Sequence, residues 1–192
     1  AVSSARFAPD GQSFVYSASW EGRPYAAFLG RPESPDVRDL QLGEARILSI
    51  SRAGDMAVLF GPQAIEKVFG VRTLARIPMA GGARRDLLTG VVEADWIPGT
   101  DALAVIRDPG DGRPWAVEFP VGTTVHEARA AWSLRVSPDG SRVAFFEGPI
   151  PFDSAPESMI VVIDKSGQKS FVSRGLSGFG LAWAPSGREV WF

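Results

Sequence analysis

One turn is written five times in this chain. It reads Phe7-Ala8-Pro9-Asp10-Gly11, Ile50-Ser51-Arg52-Ala53-Gly54, Trp96-Ile97-Pro98-Gly99-Thr100, Val136-Ser137-Pro138-Asp139-Gly140 and Trp183-Ala184-Pro185-Ser186-Gly187. An apolar run follows each copy: Phe14-Val15-Tyr16, Met56-Ala57-Val58-Leu59, Leu103-Ala104-Val105, Val143-Ala144-Phe145 and Val190-Trp191-Phe192. Pro presets the backbone at the second turn position, Asp accepts from nearby amides, and Gly tolerates a positive φ. The second and third copies lack the Pro-Asp-Gly core, so their turns are expected to differ in shape. Positions 9, 52, 98, 138 and 185 are separated by 43, 46, 40 and 47 residues.

A period of about 40 to 50 residues built on short strands marks propeller blades. The expected fold class is therefore all-β: a β-propeller of four-stranded antiparallel blades, four complete and a fifth begun. The blades fall at about 5–42, 47–90, 92–128, 132–174 and 178–192 of a single array over 1–192. In the first, Trp20-Glu21-Gly22-Arg23-Pro24 turns the second strand into the third, and Asp111-Gly112-Arg113-Pro114-Trp115 repeats that turn in the third blade. Ala64 to Val68 has room for a short turn of helix at most. The third and fourth strands of the last blade are missing, so the chain is expected to be a piece of a larger propeller. The alternative is a homodimer closed through the unfinished ends.

Composition removes several classes of function. With 20 basic and 22 acidic residues the net charge is -2, which gives no electrostatic footprint for nucleic acid or an anionic membrane. There is no Cys, so disulfides, thiolate metal sites and cysteine nucleophiles are excluded. No apolar stretch approaches the ~18 to 20 residues of a membrane span.

The turn with its following strand resembles the WD-type propeller repeat of the TolB family, most closely at residues 7 to 16 and 136 to 146. Ser186 in place of Asp is a departure. The stretch from Ala5 through Glu21-Gly22-Arg23-Pro24 to Arg31-Pro32-Glu33-Ser34 is also similar to propeller regions that follow a membrane span in bacterial serine/threonine kinases. These resemblances imply a periplasmic or extracytoplasmic sensor or docking region.

No catalytic constellation is legible. The G-x-S-x-G of a nucleophile elbow is absent, Gly175 to Phe179 lacking the last glycine. His126, the one histidine, reads as a solvated residue of an outer strand. Asp108-Pro109-Gly110-Asp111-Gly112 is the densest acidic loop, but it misses the calcium-loop pattern and matches an ordinary turn. Asp10 and Asp139 are explained by their turns. Ala80-Gly81-Gly82 joins two strands, where a phosphate loop would open a helix. No cofactor or metal is expected.

Binding candidates remain. Trp96 and Trp183 share the Phe7 position and read as interblade core, Trp132 is undetermined, and Trp20 and Trp115 flank the second turn as partly exposed rings. The loop 148–156 carries Ile150 and Phe152 among prolines, which limit the entropy lost on binding. Arg6, Ser49, Asp95, Arg135 and Ala182 precede the motif position on the inner strands. In a closed propeller Arg6, Asp95 and Arg135 would line a channel, either attracting an anion or pairing internally. The expected function is a noncatalytic module for a protein or peptide partner. The alternative is the propeller half of a prolyl-oligopeptidase-like serine peptidase.

Overall fold

Every copy of the turn folds the same way at its base. The amide after the apolar motif residue bonds to the carbonyl at the start of the next strand, as in Ala8 to Ser13 (2.8 Å), Ile97 to Ala102 (2.9 Å) and Ser137 to Arg142 (2.8 Å). A second bond closes the turn, from Gly11 N to Ala8 O at 3.0 Å and Thr100 N to Ile97 O at 3.1 Å. The second turn is one residue shorter, its outer bond running from Ser51 N to Asp55 O. The third carries its positive φ one place earlier, at Gly99 (77°), where Gly11 (66°) and Gly140 (71°) hold the fourth position. Both differences follow from the lost Pro-Asp-Gly core.

The computed structural model describes residues 2–21, 23–61, 72–148, 158–174 and 180–192. It divides into two compact units, Ala1–Val91 and Val92–Phe192. In the first, blade 1 comprises β1 (Val2–Phe7), β2 (Phe14–Ala18), β3 (Ala26–Arg31) and β4 (Ser34–Asp39). Blade 2 comprises β5 (Ala45–Ile50), β6 (Asp55–Phe60), β7 (Thr73–Pro78) and β8 (Arg85–Thr89). The helical turn expected at Ala64 to Val68 lies outside the described residues.

The second unit holds blade 3, with β9 (Val91–Trp96) running into it from the boundary, then β10 (Leu103–Arg107), β11 (Trp115–Glu118) and β12 (Thr124–Ala128). Blade 4 comprises β13 (Ala131–Val136), β14 (Arg142–Glu147), β15 (Met159–Asp164) and β16 (Lys169–Arg174). A two-stranded sheet follows, β17 (Ala182–Trp183) with β18 (Val190–Trp191). All four blades are antiparallel with strands in sequence order, so the fold class is the all-β array that the repeat dictates.

Period-two alternation gives each blade a forward face, toward the next blade in sequence, and a backward face. In the first unit, Val15 and Ala27 on the forward face of blade 1 cluster with Met56, Val58 and Ile77 on the backward face of blade 2. In the second, Ala104, Ile106 and Val117 meet Val143, Phe145 and Val161 in the same manner. Ala144, Phe146, Ile160 and Val162 then meet Leu181, Trp183 and Val190 of the two-stranded sheet. Burying one such aliphatic or aromatic side chain contributes about 1.5–3 kcal/mol, so these seams hold each unit together.

Candidate functional site

Three charged residues of the inner strands lie against backbone. Arg6 on β1 donates from Nε to the Leu48 carbonyl of β5 (2.6 Å) and from Nη1 to the Ala5 carbonyl (2.7 Å). Asp95 on β9 accepts from the Val136 amide of β13 (2.8 Å) and from the Trp96 amide (3.0 Å). Arg135 donates to the Leu134 carbonyl, while its own carbonyl accepts from Trp183 Nε1 at 3.0 Å. Arg6 and Asp95 thus clasp one blade to the next, and a hydrogen bond to a charged group contributes roughly 1.5–3 kcal/mol. Ser49, one of the equivalent positions, is buried, and Ala182 is exposed. Inner-strand register irregularities recur at Val2/Ser4, Ile47/Ser49 and Trp132/Arg135. In the last of these Ser133 adopts a φ of 57° and accepts from the Gly180 amide at 3.2 Å.

The aromatic candidates separate. Trp20 is 53% exposed and rests edge-on against Phe28, with ring centroids 5.2 Å apart. Trp115 departs from the expected partly exposed ring: it is 7% exposed and lies in the cluster with Val117, Ala128 and Ala130. The cause is register. Pairing in blade 3 already begins at Trp115↔Ala128, so Trp115 stands on the forward face, whereas Tyr25 at the matching position precedes β3. Trp96 is buried, and Trp132 is buried and stacked on Phe146 at 5.7 Å. Trp183 is half-buried within its seam, under the guanidinium of Arg142 at 5.2 Å. Phe7 is 70% exposed, against the expectation that its position is interblade core, because it stands on the backward face of blade 1. Ile150, Phe152 and the segment Gly175 to Phe179 lie outside the described residues.

His126 is also more enclosed than the sequence implies. It does sit on the outer strand β12, but its side chain is only 15% exposed. Paired with Val117, it points forward toward blade 4, where Nε2 meets Glu147 Oε2 at 2.8 Å and the ring tilts against Phe145 at 5.6 Å. Beside this pair opens a cleft of about 380 Å³, lined by Gly112, Arg113, Pro114, Glu127, Arg129 and Glu147 among others. Two guanidinium groups and two carboxylates therefore border one space at the second-loop end of blade 3. Glu127, Arg129 and Glu147 were not singled out by motif. Their available signal was position: Glu147 is the last strand residue before the loop 148–156.

The acidic loops are closed on themselves. Asp108 accepts from the Gly110 amide at 2.8 Å, and Asp111 from Arg113 Nε at 2.8 Å. The Arg113 amide, first among several donors, holds the Asp111 carboxyl below the usual range. Asp10 accepts from Ser13 N (2.8 Å), Gln12 N (2.9 Å) and Ser13 Oγ (2.8 Å), and is likewise lowered, chiefly by the Ser13 amide. Asp139, held mainly by the Ser137 hydroxyl and then by Ser141, is brought down to about 2. Among the described residues no group of three or more His, Asp or Glu is placed to hold a metal ion.

These blades define a β-propeller fold. No family model matches the sequence, and no curated protein does so either. Among solved structures the fold is similar to TolB from Acinetobacter baumannii, with a TM-score of 0.74 at 16% identity, covering 99% of this chain and 48% of that one. It is similar to a putative TolB from Agrobacterium tumefaciens, with a TM-score of 0.73 at 15% identity over 95% of this chain and 70% of that one. An acylaminoacyl peptidase from Pyrococcus horikoshii matches at a TM-score of 0.52 and 13% identity, over 90% of this chain and 32% of that one. The chain thus spans about half the length of the first of these. At such identities the likeness is one of fold, and fold alone assigns no activity.

Proposed function

We propose that the chain is a noncatalytic binding module of TolB-like propeller type, presenting its loop end to a protein or peptide partner. The cleft bordered by Arg113, Glu127, Arg129 and Glu147 carries this reading. An open space with both signs of charge suits a polypeptide, which offers carboxylates, cations and backbone groups along one strand. Loops on a rigid sheet scaffold are the usual place for such recognition. Similarity to the TolB folds supports the propeller part of this reading and an extracytoplasmic setting; a sensor role beside a bacterial receptor serine/threonine kinase rests on the sequence resemblance of Ala5 to Ser34 alone. The peptidase match supports a second reading, in which the chain is the propeller part of a prolyl-oligopeptidase-like enzyme. Under both readings this chain hydrolyses nothing by itself.

The test is a display selection of peptides on the wild-type chain, repeated on Arg129→Glu. Selected peptides are expected to lose about tenfold or more in affinity, as a reversed charge opposes its partner. Equal binding to the variant would remove the cleft from the reading. Peptide hydrolysis by the purified chain, abolished in His126→Ala, would end the noncatalytic assignment.

A further inference from the structure

Three Asp-Gly pairs occur in the chain, Asp10-Gly11, Asp111-Gly112 and Asp139-Gly140. Such a pair is open to attack by the backbone on its own side chain, because glycine puts no Cβ beside the amide nitrogen that must reach the carboxyl carbon. Two of the three are closed to it. The Gly11 amide is bonded to the Ala8 carbonyl at 3.0 Å, and the Gly140 amide to the Ser137 carbonyl at 2.8 Å. Their carboxylates are fixed as well, Asp10 by Gln12 and Ser13, Asp139 by Ser137 and Ser141.

The Asp111 pair has another setting. Among the described residues no protein acceptor takes the Gly112 amide, and no backbone–backbone hydrogen bond closes the stretch 109–114 between β10 and β11. All six of these residues are exposed, and a Cβ at Gly112 would meet open space. The Asp111 carboxylate is held by the Arg113 amide (3.2 Å) and Nε (2.8 Å), yet the Arg113 side chain is itself 74% exposed. All three carboxyls lie below the usual range, so charge does not separate the pairs. The glycine amides do.

We infer that Asp111-Gly112 is the isomerisation site of the chain, converting to isoaspartate while the other two Asp-Gly pairs persist. Once solvent has protonated the carboxylate, the Gly112 nitrogen bonds to Asp111 Cγ and the carboxyl hydroxyl leaves with the amide proton as water. A solvent water then opens the cyclic imide. Addition at the Asp111 main-chain carbonyl breaks its bond to the Gly112 nitrogen, so the chain continues through the former side chain. Addition at Cγ restores the original residue. The isomer lengthens the backbone by one methylene ahead of Arg113 and moves the free carboxylate onto Cα, which removes the acceptor of the Arg113 Nε bond. Gly112 and Arg113 border the cleft beside Glu147, so the change alters its wall. This chemistry is independent of what the cleft binds.

Peptide mapping of the folded chain, held at neutral pH and physiological temperature in heavy-oxygen water, tests the inference, since each opened ring retains one solvent oxygen. The isomer at Asp111 is expected to accumulate about tenfold or more faster than at Asp10 or Asp139, where an amide bond and the carboxylate bonds must break first. In urea the three rates are expected to converge. Asp111→Glu, whose longer side chain disfavours the ring, is expected to remove the isomer from that peptide. Equal rates at the three pairs in the folded chain overturn the inference, as does a lead for Asp10 or Asp139. A lead for Asp111 that persists unchanged in urea overturns it too, because the folded hydrogen bonds would then not be its cause.

Discussion

Blades 1 and 4 are built on the closest copies of one turn and differ in what lies against them. Tyr16 and Phe145 hold the same place on the second strand and face backward. Phe145 is fully buried under blade 3, whereas Tyr16 is half-exposed. Gly11 and Gly140 close the same turn, yet a Cβ at Gly11 would meet open space and one at Gly140 would lie 3.3 Å from the Pro98 carbonyl. A repeat therefore fixes the sheet and its alternation. Neighbouring sheets decide which of its residues are core.

This contrast can be broken residue by residue. The largest effect is expected from Phe145→Ala, which leaves a cavity and costs about 3–5 kcal/mol in chemical denaturation of the second unit. Tyr16→Ala loses mainly ring contacts, about 0.5–1.5 kcal/mol in the first unit. Equal losses would show that the two faces are equally covered. Next, Gly11→Ala meets only the left-handed backbone penalty, roughly 1–2 kcal/mol, whereas Gly140→Ala meets that penalty and the Pro98 contact and should lower the melting temperature further. Smallest is the acid response. Because the folded Asp139 carboxyl lies near 2 against an ordinary 3.8, its contribution is present above 3.8 and is lost as pH falls toward 2. Asp139→Asn should flatten that part of the stability profile more than Asp10→Asn does. An unchanged slope would mean that the Ser137 and Ser141 hydroxyls do not hold the carboxylate in solution.

The architecture was legible because turn chemistry and strand alternation are local. Pro9-Asp10-Gly11 and its copies name their own hydrogen bonds, and the spacing between them counts the blades. Burial was legible for Trp96, but Phe7 at the same motif position is open, because no local pattern tells which sheet faces have a neighbour. Trp115 was misjudged because one residue of earlier pairing in β11 turns an apparent loop ring into the core. His126 was placed on the correct strand and given the wrong environment. Its partner Glu147 lies 21 residues away on another blade, and sequence periodicity carries no information about that pairing. The cleft at Arg113 and Arg129 was missed for the same reason, since its walls come from separate strands and turns.

The central claim is that equivalent residues of one repeat differ in burial according to the sheet packed against them, Phe145 lying under blade 3 while Tyr16 is half-exposed. Hydroxyl-radical footprinting of the chain, read by mass spectrometry at individual residues, addresses it directly. The account predicts strong labelling of Phe7, Tyr16 and Phe28, with Phe145 protected. Equal protection of Tyr16 and Phe145 would contradict it.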